Sequence, residues 1–128
     1  SKSAKSIEKN QLAFILIYCS EGNALKQWEN VINSLATHSM TRPIYKNEAD
    51  VQSVIKHKSN KQNDGYIALA ISEKDISEPF NNKSPVDRHG NELIVLKEGA
   101  VRPENIEYFI HLDKYYILQN KKLIRVEN

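Results

Sequence analysis

Along the 128-residue chain, short runs of apolar residues are separated by polar turns. In Leu12–Ser20 and Tyr66–Ile71 nearly every position is apolar, which is typical of short strands buried on both faces. In Ala24–Ala36 apolar residues, Trp28 among them, recur every three or four positions and predict a helix with one buried face. The pattern therefore predicts a domain that alternates strands and helices.

The other predicted elements follow the same two kinds of pattern. Pro43 has no N–H, so its strand is expected at a sheet edge, or Pro43 is expected to face the unpaired side of the strand. Asn23 is expected to cap the first helix, and Asn47 or Glu48 is expected to begin the second. Asn120 and Lys121 predict a hairpin turn. The remaining elements are strands at Thr41–Tyr45, Glu92–Leu96, Ile110–Leu112, Tyr115–Leu118 and Lys122–Val126, and helices at Asn47–Lys58 and Arg102–Phe109.

Residues 72–91 show no regular pattern and contain Pro79 and Pro85, as a functional loop or an insertion would. The order of elements predicts an α/β (α+β) fold, in one domain with a mixed sheet and flanking helices. The closing hairpin argues against a purely parallel sheet.

Composition narrows the classes of function. Hydrophobic residues make up 40% of the chain and the net charge is +2, so a core is expected and a nucleic-acid partner is not. One cysteine, Cys19, excludes an internal disulfide framework and predicts an inert buried thiol. The four glycines match no nucleotide-binding loop and the histidines match no zinc motif.

Arg42 is the cation that the local sequence singles out. A residue before proline is held extended, so Pro43 fixes the direction in which Arg42 projects. The guanidinium suits a phosphate or a carboxylate ligand. Spacing alone leaves a second interpretation open, in which Arg42 is a strand-end charge paired with Glu48 or Asp50.

Several segments resemble the C-terminal domain of the IcmQ family: LKQWENVINSL, MTRPIYKNEADVQSVIKHKSNKQNDGYIAL, SPVDRHGNELIVLK and ENIEYFIHL. The resemblance covers Leu12 to Leu118. IcmQ proteins are cytoplasmic components of the Dot/Icm type IVB secretion system of intracellular bacterial pathogens. The resemblance implies a domain that is similar in fold to mono-ADP-ribosyltransferases and binds NAD.

The resemblance also implies a binding site. Arg42 corresponds to the strand arginine that contacts the dinucleotide in ADP-ribosyltransferases, and Ser72 is the position left for their Ser-Thr-Ser strand. Tyr45 and Tyr66 can supply an aromatic wall if the second and third strands line one cleft. The chain has no Glu-x-Glu, and Glu104 and Glu107 lie three apart on a predicted helix, so no catalytic residue is assigned.

Three functions follow as alternatives. The first is a regulatory or structural NAD-binding domain without catalysis. The second is an active ADP-ribosyltransferase or NAD glycohydrolase, which needs a carboxylate in the cleft such as Glu92 or Glu98. The third is a protein-interaction domain whose cleft holds no ligand.

Residues 1–10 are expected to be the remnant of a linker, with the NAD-binding domain at residues 11–128. Lys2, Lys5 and Lys9 suit contact with anionic lipid, although an unstructured solubilising linker has the same composition. The resemblance implies a bacterial cytoplasmic protein at the periphery of the inner membrane. It also implies a chaperone partner, IcmR, which binds an N-terminal domain outside this sequence.

Overall fold

Two antiparallel sheets carry the fold in the computed structural model, which describes residues 11–57, 64–78 and 86–127. The elements in chain order are β1 (Gln11–Cys19), α1 (Asn23–Lys26), α2 (Trp28–Leu35), β2 (Met40–Pro43), α3 (Glu48–His57), β3 (Gly65–Ser72), a 3-10 turn (Glu73–Asp75), β4 (Ile76–Glu78), β5 (Leu93–Leu96), a 3-10 turn (Pro103–Asn105), β6 (Ile106–His111), β7 (Lys114–Gln119) and β8 (Lys122–Val126). The large sheet has the order β1-β3-β6-β7-β8, and the small sheet has the order β2-β5-β4.

The predicted α+β class and single domain are confirmed, and the sheet arrangement is corrected. The described strands form two sheets instead of one mixed sheet, and all their pairings are antiparallel. The reason lies in the path of the chain. After β1 it crosses to the small sheet at β2, and it then returns through α3 to form β3 antiparallel to β1.

Strand β3 lies between β1 and β6, and residues 65–71 of it are buried. One face of the large sheet packs against α1, α2 and the small sheet, and this first core contains Ile32, Leu69 and Phe109. The opposite face packs against α3, and this second core contains Phe14 and Val51. A strand that serves two cores needs apolar residues at every position, which explains the continuous run in its sequence.

Strand β2 lies at the edge of the small sheet, as Pro43 predicted. Just beyond Pro43 the chain forms an isolated β-bridge with the large sheet, between Tyr45 and Phe14. The N–H of Phe14 donates to the carbonyl of Tyr45, the N–H of Tyr45 donates to the carbonyl of Phe14, and both distances are 2.9 Å. This bridge places Tyr45 on the outer side of β1.

The predicted helix Ala24–Ala36 is confirmed, but it is divided at Gln27, whose φ of −126° leaves the helical region. Trp28 packs in the first core, 6.0 Å from the ring of Phe109. Asn23 does not cap this helix, because Gly22 holds the N-cap position in a left-handed conformation. Asn47 does act as a cap at α3, since its Oδ1 accepts the N–H of Asp50 at 2.9 Å.

The predicted helix Arg102–Phe109 is wrong. Its first residues form the 3-10 turn, and the rest belong to β6, which pairs with β3 and supplies Phe109 to the first core. Tertiary pairing therefore overrides the local helical pattern, and Glu107 lies on a strand. The irregular segment is also corrected, because residues 73–78 form a 3-10 turn and β4. Residues 79–85 of that segment lie outside the described residues, as do residues 58–63 of the polar loop that the sequence predicts at Lys58–Gly65, and Gly65 itself begins β3.

Two-residue turns close both C-terminal hairpins. The predicted turn at Asn120 and Lys121 is confirmed, and both residues have positive φ, 52° and 64°. The turn between β6 and β7 has the same form, with φ of 52° at Leu112 and 62° at Asp113. These left-handed pairs match the twist of the strands that they join.

Candidate functional site

The pairing of β2 sets the direction in which Arg42 points. Arg42 lies opposite Ile94 in β5, and Ile94 is buried in the first core. Because cross-strand partners project from the same face of a sheet, Arg42 leaves the small sheet on the side turned toward the large sheet. The residue is half-buried there, and its Nη1 donates to the carbonyl of Thr41 at 3.0 Å.

Arg42 forms no ion pair with any carboxylate in the described ranges of the chain. The interpretation in which Arg42 is paired with Glu48 or Asp50 therefore does not occur in this structure. Its one hydrogen bond goes to a neutral carbonyl of its own strand. The cation thus keeps its capacity to bind an anion.

Tyr45 follows Arg42 by three positions, is 4% exposed and packs in the second core. Burial raises the pKa of the Tyr45 phenol to about 12, with smaller upward contributions from Asp87 and Tyr66, while the charge of Arg42 acts to lower this pKa. Electrostatic effects of this kind require short separations. Arg42 and Tyr66 therefore each lie within electrostatic range of Tyr45, and these three residues with their contacts are called the Arg42 neighbourhood.

Tyr66 also contacts Tyr18, which lies near the C-terminal end of β1. Its ring meets the ring of Tyr18 edge to face, with centroids 5.7 Å apart. The hydroxyl of Tyr18 donates to Oδ2 of Asp64, and Oδ1 of Asp64 accepts the N–H of Glu21 at 3.2 Å. The hydrogen bond to Asp64 is the first cause that raises the pKa of Tyr18 to about 12.

Ser72 lies at the opposite end of β3 from Tyr66. The two are six positions apart, which is about 20 Å at the rise of a strand. Ser72 is also engaged, because its N–H donates to Oδ2 of Asp75 at 3.1 Å and its hydroxyl meets the same atom at 3.4 Å. Asp75 in turn contacts Nη1 of Arg102 at 3.4 Å. The structure places Ser72 in this local turn, apart from the other three residues.

A tight turn before β5 adds a carboxylate near Tyr45. Asp87 accepts the N–H of His89 at 2.9 Å and the N–H of Asn91 at 2.8 Å through Oδ1, and two backbone hydrogen bonds between Asp87 and residues 90 and 91 also close the turn. Arg88 and His89 are exposed at its tip. Gly90, with a φ of 83°, suits this turn, but no local pattern indicates that Asp87 lies within electrostatic range of Tyr45.

The two glutamates considered for catalysis lie at opposite ends of β5. The carbonyl of Glu92 accepts the N–H of Ile44 at 2.9 Å, which places Glu92 two positions from the cross-strand partner of Arg42. Glu98 follows the other end of β5 and is exposed. Of the two, Glu92 is therefore the one beside the Arg42 neighbourhood.

Other predicted features have simpler outcomes. Cys19 is a free thiol, 4% exposed, and burial raises its pKa to about 11, which confirms the buried inert thiol. Lys2, Lys5 and Lys9 lie outside the described residues.

In the part of the chain that the structure covers, His, Cys, Asp and Glu side chains form no group of three or more able to hold a metal. None of the described helices has the length and apolar character needed to cross a membrane.

Tyr18, Asp64 and Asp87 are the residues of this neighbourhood that the sequence did not predict. Tyr18 stands in an apolar run, where it is read as core, and Asp64 and Asp87 stand in polar turns. Their proximity depends on contacts between residues more than forty positions apart, as between Tyr18 and Asp64. A local pattern carries no signal of such contacts.

Comparison with known families adds an independent observation. The family model described as Dot/Icm secretion system protein (dot_icm_IcmQ) matches residues 1–126. A comparison with curated proteins finds no match. The family match spans both sheets and every described residue of the Arg42 neighbourhood. The chain therefore belongs to the IcmQ family of Dot/Icm secretion system proteins.

Proposed function

We propose that this domain binds NAD and serves the Dot/Icm secretion system as a non-catalytic regulatory or structural component. The observation that supports the proposal is that Arg42 on β2 and Tyr66 on β3 both lie within electrostatic range of Tyr45, which follows β2. A dinucleotide site needs a cation for the pyrophosphate, apolar ring surface and a few polar groups. In the proposed site Arg42 supplies the cation, and the largely buried Tyr45 and Tyr66 supply the apolar wall.

Arg42 has the role of binding the pyrophosphate. A guanidinium donates two parallel hydrogen bonds to phosphate oxygens, and such charge-assisted bonds are about twice as strong as neutral ones. The bond that Arg42 gives up on ligand binding is the one to the neutral Thr41 carbonyl. Tyr45 keeps its proton at neutral pH because its pKa is about 12, so its hydroxyl remains a donor for a phosphate or ribose oxygen.

Binding without cleavage is the form of the proposal that the sequence supports. Breaking the bond to nicotinamide needs a carboxylate that stabilises the positive charge developing on the ribose. The chain has no Glu-x-Glu motif. A transferase or glycohydrolase remains the second candidate function because Glu92 lies two positions from the residue opposite Arg42.

Titration of the chain with NAD, followed by calorimetry, tests the proposal. We expect saturable binding, and we expect Arg42→Gln to weaken it by about 10- to 100-fold, since a charged hydrogen bond contributes about 1.5–3 kcal/mol. Lys114→Gln is the matched control. It removes the same charge from an exposed position at the start of β7 and should leave the dissociation constant for NAD unchanged.

Three outcomes separate the alternatives. At about 100-fold its dissociation constant, NAD should raise the free energy of unfolding by about 2.7 kcal/mol, so an unchanged melting midpoint would show that the domain does not bind NAD. Normal binding by Arg42→Gln would refute the site and leave the function standing. Release of nicotinamide, abolished by Glu92→Gln, would establish catalysis instead.

We also propose that Lys2, Lys5 and Lys9 hold the protein at the inner membrane, since each lysine near an anionic surface contributes about 1 kcal/mol. Sedimentation with phosphatidylglycerol vesicles should retain the chain, and neutral phosphatidylcholine vesicles should not. A variant with all three lysines changed to glutamine should stay in solution with both kinds of vesicle.

Binding to the chaperone IcmR is proposed for an N-terminal domain outside this sequence, so a pull-down with this chain should recover no IcmR.

A further inference from the structure

Strand β8 forms one edge of the large sheet. It pairs with β7, and no strand of the described residues covers its other side. Gln119 and Lys122 flank a two-residue turn and form a hydrogen-bonded pair, after which the N–H and carbonyl groups alternate in direction. The backbone groups of Leu123 and Arg125 therefore point away from β7, toward the position of a further strand.

Apolar side chains reach this edge on both faces of the sheet. Leu123 packs against the first core and Val126 packs against the second. Ile124 is 40% exposed and continues a row with Ile117, its partner in β7. A strand added at the edge removes this apolar surface from water, which favours its binding.

The charges within β8 are all positive. Lys122 and Arg125 are exposed, and the nearest carboxylate along the chain, Glu127, comes after the strand ends. Within the described ranges neither of the two cations forms an ion pair. Like charges that face each other across a strand pair are destabilising, so this edge repels a second β8 and attracts a strand with acidic residues in the facing positions.

We propose that the edge of β8 binds an extended acidic segment of a partner protein, which joins the large sheet as a sixth strand. The segment runs antiparallel to β8, as the strand pairs of the sheet do, and exchanges hydrogen bonds with Leu123 and Arg125. Its side chains follow the order acidic, apolar, apolar, acidic. The acidic residues lie opposite Lys122 and Arg125, and the apolar residues face the two positions between them.

The spacing of the two cations determines which acidic segments fit. Residues three apart in a strand project from opposite faces of the sheet. Arg125 lies opposite Tyr116, on the side of the first core, so Lys122 projects on the side of the second. A segment with its acidic residues on one face pairs with only one of the two cations, whereas acidic residues three apart pair with both.

Titration of the chain with capped hexapeptides, followed by NMR, tests the proposal. Thr-Glu-Val-Ile-Glu-Thr carries the proposed order, and Thr-Val-Glu-Glu-Ile-Thr has the same composition and charge in a different order. The contact is small, so we expect a dissociation constant of about 0.1–1 mM for the first peptide, and binding about fivefold weaker or less for the second. The first peptide should protect the amides of Leu123 and Arg125 from exchange, whereas the amide of Ile124, bonded to β7, should be protected throughout.

Charge reversal on both partners tests the electrostatic selection. The double variant Lys122→Glu and Arg125→Glu should bind Thr-Glu-Val-Ile-Glu-Thr about tenfold more weakly, because two exposed ion pairs become like-charge pairs. It should instead bind Thr-Lys-Val-Ile-Lys-Thr. The matched control, Lys26→Glu with Lys97→Glu, makes the same change in net charge at exposed positions outside the large sheet and should bind like the unchanged chain. The amide spectrum verifies that each variant is folded.

Three results would overturn the proposal. One is the absence of binding by Thr-Glu-Val-Ile-Glu-Thr at about 5 mM, which would mean that Lys122 and Arg125 only keep the strand edge closed. Another is equal binding of the two acidic peptides, which would indicate attraction by net charge without strand pairing. The third is binding that leaves the exchange of the Leu123 and Arg125 amides unchanged, which would place the contact elsewhere. None of these results bears on the proposed NAD site, because β1 and β8 lie at opposite edges of the large sheet.

Discussion

The atoms around position 65 allow only a glycine there. A Cβ built on Gly65 would lie 2.4 Å from the carbonyl oxygen of Ile110 and 3.2 Å from the Cβ of Ala24. The sequence, in which Gly65 follows a polar segment, predicts a turn glycine. In the structure it is instead the first residue of β3, and the close approach of β6 and α1 excludes a side chain. Local sequence explains Gly65 as a turn residue, whereas the structure shows that there is no room for a side chain at this position.

We expect Gly65→Ala to destabilise the domain by about 2–3 kcal/mol, because the backbone of β6 must move to admit the methyl group. The free energy of unfolding, measured in urea, checks this. Gly99→Ala is the control. Its Cβ would meet no atom within 4 Å, and its φ of 85° should cost only about 1 kcal/mol. A smaller loss for Gly65→Ala than for Gly99→Ala would contradict the steric explanation.

A hairpin could be predicted from the sequence where its turn contains a residue that commonly adopts the left-handed conformation. The β7–β8 hairpin was predicted because asparagine tolerates the left-handed conformation that Asn120 adopts. The β6–β7 hairpin was missed because its turn has Leu112 at that position, where leucine is rare. Without a turn signal, residues 102–109 were read as a helix, and the pairing of β6 with β3 could not be inferred from spacing.

The Leu112 turn gives a prediction at the level of the element. Replacing Leu112 with Asn and Asp113 with Gly should raise the free energy of unfolding by about 1–2 kcal/mol, since both new residues adopt positive φ more readily. The midpoint of urea unfolding measures the effect. Asn120→Leu is the converse change in the equivalent turn and should lower stability by a similar amount. An unchanged midpoint in both variants would show that positive φ is not costly in these turns.

For the whole molecule, the sequence predicted the class and most elements but not how they associate. Continuous apolar runs in β1 and β3 indicated strands buried on both faces, and the structure shows why, because each face of β3 has its own core. The division into two sheets depends on β2 leaving the large sheet, which no local pattern reveals. The site followed the same rule. Arg42 and Tyr66 lie within electrostatic range of Tyr45, while Ser72 lies about 20 Å from Tyr66 along β3.

The bridge between Phe14 and Tyr45 has a consequence for solubility. It occupies the free side of β1 near its middle, so the row of donors and acceptors on that side is interrupted. A sheet whose two sides were both open would allow copies to add at each side without limit and grow into fibres. With the β1 side interrupted, copies cannot add at both sides of the sheet in turn. The contact that holds Tyr45 in place thus also protects the protein against open-ended aggregation.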